Sequence, residues 1–294
     1  MLVHKNKSPV NPNRVVILGA GGFLAPELAR LLEANGIAVR AIGSKALDLT
    51  AEGAADGLVS ELLDGDVVVM AAGLTPDKGR DIGTLMKNLR MAENVCGALG
   101  RVKPAQFVYI SSDGVYDARF SSLLNEESTC EPTDLYNLMH TAREKMLGQA
   151  CHAASVPLAI VRPCAIYGPG DTHNSYGPNR FIRTARKDGK ITLFGGGEES
   201  RHHVFFEDVA KIVMLCVLHG SSGIINAITG KAVSFREVAE MIIAAGNREV
   251  ALECLPRGTP VTHRNFDLTG LVRAFPDFSA TPLAVGIART VAQS

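Results

Sequence analysis

The chain has 294 residues, of which 46% are hydrophobic and 20% charged, and its 30 basic and 30 acidic residues cancel. That balance excludes nucleic acid or an anionic membrane as a partner recruited by overall charge, and the length allows one large domain or two small ones. No apolar run approaches the roughly 20 residues of a membrane span. Residues 1–13 read as a loose polar leader without an apolar signal core. The six cysteines, lacking paired spacing, read as reduced thiols of a cytoplasmic protein.

The apolar, β-branched run Val15 to Leu18 predicts a strand buried on both faces. Gly19, Gly21 and Gly22 then predict a sharp turn, where a diphosphate approaches bare backbone N–H groups at the start of a helix over 26–35. Further strands are expected over 37–42, 66–70, 106–110 and 158–161, with helices over 84–99 and 136–153 between them. This alternation predicts an α/β fold, a doubly wound parallel sheet of Rossmann type, over residues 1–166. Residues 167–200, rich in Gly, Pro, Asn and Thr, read as an irregular excursion. A strand then a helix are expected over 204–217 and a short strand over 224–228. Ser234 and Glu237 have capping-box spacing for a helix reaching Ala245. A weaker helix closes the chain near 282–292. Residues 167–294 are therefore expected to form a smaller α/β substrate-binding region, with about 201–231 packing back on the first domain.

Ser111, Ser112 and Asp113 follow the strand over 106–110, where an open parallel sheet presents its ligand-facing groups. Tyr136 comes 24 residues after Ser112 and opens a helix, with His140 one turn further on. A phenol with an ordinary pKa near ~10 acts as acid or base at a carbonyl only if its anion is stabilised. A nearby serine hydroxyl can donate to the same oxygen as charge develops. Alone, the Tyr–His pair reads more readily as packing or capping than as chemistry.

In order and spacing these residues resemble the extended short-chain dehydrogenase/reductase family, the NAD-dependent epimerases, dehydratases and reductases that modify nucleotide-sugars. Gly19-Ala-Gly21-Gly22-Phe23-Leu24-Ala25 is similar to its Gly-x-x-Gly-Phe-x-Gly, with Ala25 replacing the last glycine. Asp48-Leu49 resembles the pair that meets the adenine, and Ala71-Ala72-Gly73 the segment beneath the cofactor ribose. Asn88 matches the asparagine of the mid-domain helix. Ser111-Ser112-Asp113-Gly114-Val115-Tyr116 and Arg162-Pro163-Cys-Ala-Ile-Tyr167-Gly168-Pro169 look like two further family segments. The resemblance implies Ser112, Tyr136 and His140 as catalytic residues and places Ser111, Tyr136, His140 and Pro163 at the cofactor. It implies Asp113, Asn179 and Arg201 at the substrate, Arg201 as the anchor of a diphosphate. The family motif is Tyr-x-x-x-Lys, and here His140 stands in place of the lysine. Histidine can replace the lysine's ribose hydrogen bond but only part of its field; Arg143, on the Tyr136 face of the helix, offers the missing charge.

The resemblance further implies that dehydration is disfavoured, because Gly114 replaces the second carboxylate after Asp113. What remains is an epimerase or reductase of a sugar or nucleotide-sugar. The alternatives are a dehydrogenase of a small sugar acid or polyol, and a dinucleotide-binding protein without turnover. The cofactor is NADP or NAD. No acid follows the second strand, and Ser44 and Lys45 suit a 2′-phosphate, which favours NADP. His202 and His203 are adjacent in an expected strand and point to opposite faces, so no metal site is expected. In relatives the two Met- and Leu-rich helices, about 84–100 and 136–153, pair across a two-fold axis, which implies a homodimer.

Overall fold

The computed structural model describes residues 1–116, 123–246 and 248–294. Its first half alternates β1 (Arg14–Leu18), α1 (Ala25–Ala34), β2 (Ala38–Ile42), α2 (Ala54–Glu61), β3 (Val67–Met70), α3 (Ile82–Leu99), β4 (Gln106–Ile110), α4 (Leu135–Ala154) and β5 (Leu158–Pro163). A short 3-10 turn, Asp113–Val115, follows β4. The second half holds β6 (Ala165–Tyr167), α5 (Pro178–Asp188), β7 (Lys190–Phe194), β8 (Ser200–Arg201), β9 (His203–Phe205), α6 (Phe206–Leu218), β10 (Gly223–Ala227), β11 (Val233–Ser234), α7 (Phe235–Ala245), β12 (Ala251–Leu255), α8 (Thr269–Ala274) and α9 (Leu283–Gln293).

Six parallel strands run in the order β10-β5-β4-β3-β1-β2. The chain leaves β1 outward to β2 and returns to β3 on the other side, so a crevice opens between β1 and β3, where such sheets bind ligands. Strand β1 shows why both sheet faces are dry. Val15 and Ile17 join a core with Leu28, Leu32, Ile212 and Val213, whereas Val16 and Leu18 join one with Val68, Val95 and Leu147. Side-chain alternation thus divides an unbroken apolar run between two helical layers. A third core gathers Phe181, Leu193, Phe235, Ile242 and Ile287 in the second half of the chain.

Several segments differ from the sequence reading, β12 and α8 among them, which it did not predict. Residues 167–200 are not irregular throughout, since they contain α5 and β7. Phe181, Ile182 and Ala185 give α5 a buried stripe, Pro178 starts it, and Gly189 ends it at φ 65°. That stripe is too narrow to show against the surrounding Gly and Pro. The two-turn α2 was not expected either. Residues 1–13 are docked rather than loose: Val3 bridges Ser222, and His4 bonds Ser221 Oγ at 2.7 Å and the Ala274 carbonyl at 2.8 Å. Among the described residues no helix is long and apolar enough to cross a membrane.

Candidate active site

A cavity of about 380 Å3 opens beside the C-terminal ends of β1, β3 and β4. Gly19, Gly21, Gly22, Phe23 and Leu24 line it from the β1 turn. Ser44, Asp48 and Leu49 line it from the β2 side, Ala71, Ala72 and Gly73 from the end of β3, and Ser111, Tyr136 and His140 from β4 and α4. Gly19 has φ +100°, and a Cβ there would stand 2.7 Å from the Ala72 nitrogen, so only glycine lets the two turns touch. A Cβ on Gly21 would meet nothing, which leaves bare backbone at the wall. No side chain caps the first turn of α1, so its amide dipoles remain available to an anion. This glycine cradle suits the diphosphate of a dinucleotide.

Tyr136 and His140 lie one helical turn apart on α4, their rings edge-on with centroids 4.8 Å apart. His140 is buried, and its Nδ1 lies 2.8 Å from the Tyr109 hydroxyl. Its Nε2 has no hydrogen-bond partner among the described residues. Burial, with the Arg143 charge acting the same way, lowers the His140 pKa to about 3, so the ring is neutral. Tyr136 is pushed up to about 12, chiefly by burial; Arg143 opposes the shift, and Asp134, Asp113 and Asp77 add to it. The guanidinium of Arg143 is buried and bonds the Ala72 carbonyl at 2.7 Å and the Asn88 carbonyl at 2.9 and 2.7 Å.

Several expected site residues serve the frame. Ser111 lines the cavity, but its hydroxyl donates to Glu144 at 2.6 Å. Glu144 in turn holds Arg162 through two bonds of 2.9 and 2.6 Å. Asn88 stands off the wall, where its side chain bonds both backbone groups of Leu74 and receives Arg143. Pro163 is buried and Lys45 exposed, and neither reaches the cavity wall. Ser112 is also off the wall, and its Oγ accepts from the Gly114 N–H at 3.0 Å. Asn179 clamps Gly168 by accepting from its N–H at 3.0 Å and donating to its carbonyl at 2.6 Å, which occupies both ends of its amide. Arg201 is paired with Glu199 at 3.1 Å and donates to Thr262, so its guanidinium is not free. Asp113 is held by Arg264 at 3.1 Å.

Residues 15–228 match the model of the NAD dependent epimerase/dehydratase family. The chain belongs to this family. Over 262 residues it is 29% identical to the ADP-L-glycero-D-manno-heptose-6-epimerase of Thiobacillus denitrificans, covering 78% of this chain and 77% of that one. Its fold is similar to that of the UDP-glucose 4-epimerase of Thermus thermophilus in complex with NAD, with a TM-score of 0.84, 20% identity, and 95% and 98% of the two chains covered. It is also similar to RMD of Pseudomonas aeruginosa complexed with NADPH, with a TM-score of 0.83, 22% identity, and coverage of 96% and 98%.

In this member of the epimerase/dehydratase family, sequence reasoning missed Tyr109, Glu144 and Arg264, and also Thr75, Lys78, Thr172 and His173 on the cavity wall. Glu144 was within reach, because it continues the Tyr136–His140 spacing by one more turn. The segments carrying Lys78 and His173 have no periodicity, and their approach to the cavity is purely tertiary.

Proposed function

We propose that this chain is an NAD(P)-dependent epimerase or reductase of a sugar, and that its substrate is a nucleotide-sugar. The observation that carries this reading is the convergence of Tyr136 and the neutral His140, whose Nε2 has no partner among the described residues, on a cavity floored by bare glycine backbone. When bound there, a nicotinamide dinucleotide supplies or accepts the hydride. Gly19, Gly21, Gly22, Phe23 and Leu24 hold its diphosphate, Asp48 and Leu49 meet the adenine, and Ala71 to Gly73 lie beneath a ribose. Tyr136 takes a proton from the substrate hydroxyl or returns one to the carbonyl oxygen. Ser112 polarises that oxygen by donating its O–H, while its Oγ keeps accepting from the Gly114 N–H. Arg143, fixed on backbone carbonyls, supplies the positive field that favours the Tyr136 anion. Asp113, Asn179 and Arg201 border the sugar side.

Gly114 argues against elimination because it supplies no second carboxylate after Asp113. A Cβ there would lie 1.8 Å from the Asn137 side-chain oxygen, so a larger residue would require Asn137 to turn away. The β2 end offers Ser44 at the wall and no acid beside it, which supports NADP over NAD. Ile82, Met86 and Leu138 are exposed apolar residues on α3 and α4, which supports pairing of those helices in a homodimer. A second reading, binding without turnover, draws on the three carboxylates that disfavour the Tyr136 anion.

The test is a titration with NADPH and NADH followed by nicotinamide fluorescence. Incubation with UDP-, ADP- and GDP-sugars, with chromatographic separation of products, then reads turnover. The expected result is tighter NADPH binding and conversion of one nucleotide-sugar to an epimer or a reduced product. Much tighter NADH binding overturns the cofactor preference. Binding without any product overturns the nucleotide-sugar substrate, and no binding at all removes both readings.

A further inference from the structure

Strand β4 and helix α4 meet in a matched register. Alternate residues of the strand and its extension share a face, and helix residues four apart share another. Tyr109 and Ser111 therefore meet His140 and Glu144 in two buried rungs, at 2.8 and 2.6 Å. The Ser111 rung ends in a complete network, because Glu144 is also held by Arg162. The Tyr109 rung ends in Nε2 of His140, an atom without a hydrogen-bond partner among the described residues, on a ring that lines the cavity.

A neutral imidazole carries one N–H, and the hydrogen bond made by one nitrogen decides which nitrogen bears it. From the Tyr109–His140 contact and the unpartnered Nε2, we infer that Tyr109 is a positioning residue. Its O–H donates to Nδ1 of His140, and so it holds the single imidazole proton on Nε2 as a donor to the ribose of the bound dinucleotide. This rests on the dinucleotide reading proposed above. The opposite arrangement, Nδ1–H donating to the phenol oxygen, leaves the buried Tyr109 O–H without an acceptor, and folded interiors avoid that. Arg143 acts in the same sense. Its guanidinium has donors only, and it interacts with the Tyr109 oxygen, which turns the phenol proton toward the imidazole.

The lysine of the family motif brings its donors with it, whatever lies behind it. A neutral histidine at that position is useful to the ribose only in one of its two tautomers. Tyr109 is thus the counterpart of the His140 substitution, reached from the strand instead of the helix.

Protein labelled with 15N-histidine is examined by long-range 1H–15N correlation, with the His140 signals assigned by their loss in His140→Gln. The expected result for the free wild type is a single tautomer protonated at Nε2. Tyr109→Phe keeps the ring shape and removes the hydroxyl; it should lose that single tautomer and raise the dinucleotide Kd about five- to ten-fold. A role confined to packing would lower the melting temperature and leave the Kd unchanged, and that result overturns the inference. So does a wild-type ring protonated at Nδ1. A wild type that binds no dinucleotide overturns the cofactor reading and the ribose contact with it. The tautomer, read on the free protein, still decides whether Tyr109 places the proton.

Discussion

The glycine-floored cavity and the region around Arg201 treat polar groups in opposite ways. On the cavity wall Gly21 is bare, α1 lacks a side-chain cap, and His140 Nε2 has no partner among the described residues. Around Arg201 three arginines are already engaged. Arg201 pairs with Glu199, Arg257 lies 3.2 Å from each of Glu198 and Glu199, and Arg264 holds Asp113. A ligand entering the first region satisfies groups that the fold leaves unmet. A ligand entering the second must exchange with internal carboxylates, so its affinity is a difference between two similar interactions.

The largest expected effect comes from the seam between the regions. Glu144→Ala removes the acceptor of Ser111 and leaves buried Arg162 without its bidentate partner, which should cost about 3–5 kcal/mol in denaturant unfolding. A loss under about 1 kcal/mol, the range of exposed pairs, would show that the two regions do not depend on this seam.

Tyr136→Phe comes next. It should lower kcat by roughly 10^2- to 10^4-fold while leaving dinucleotide affinity nearly unchanged. With the Tyr136 pKa pushed up to about 12, the reaction direction that needs the phenolate should accelerate steadily as pH rises through the neutral range. The direction that needs the phenol should stay flat over the same range, since the group is protonated throughout. A neutral-pH plateau in the first direction would mean that the occupied site stabilises the anion more than Arg143 does alone.

The smallest effect tests the paired cations. Glu199→Gln releases charge from Arg201 and Arg257, and should tighten binding of a phosphate-bearing substrate about two- to five-fold. Weaker binding would mean that Glu199 aligns the arginines for the ligand and does not compete with it.

What was legible follows from how local each signal is. Val15 to Leu18 and the glycines after it declare a strand and a turn through residue type alone, and the cavity lies where they place it. Ser234 and Glu237 form the capping box at the expected spacing. Tyr136 and His140 share a face because helices repeat, whereas Tyr109 belongs to their network only once β4 is laid against α4. The partners of Arg201 were not legible. Glu199 is two residues away, but Thr262 comes from 61 residues along the chain, and that approach fixes the guanidinium. Asn179 likewise gives no sequence sign that its amide is spent on Gly168.

The docked N-terminal segment has a consequence for the order of assembly. His4 reaches Ser221 and Ala274, partners 217 and 270 positions away, and Val3 bridges Ser222 beside the edge strand β10. Contacts of such separation form only after the intervening sheet has been built, because the loop they close is nearly the whole polypeptide. The strap is therefore expected to seat late. While seated it occupies the backbone of Ser222, just before the edge strand β10 begins.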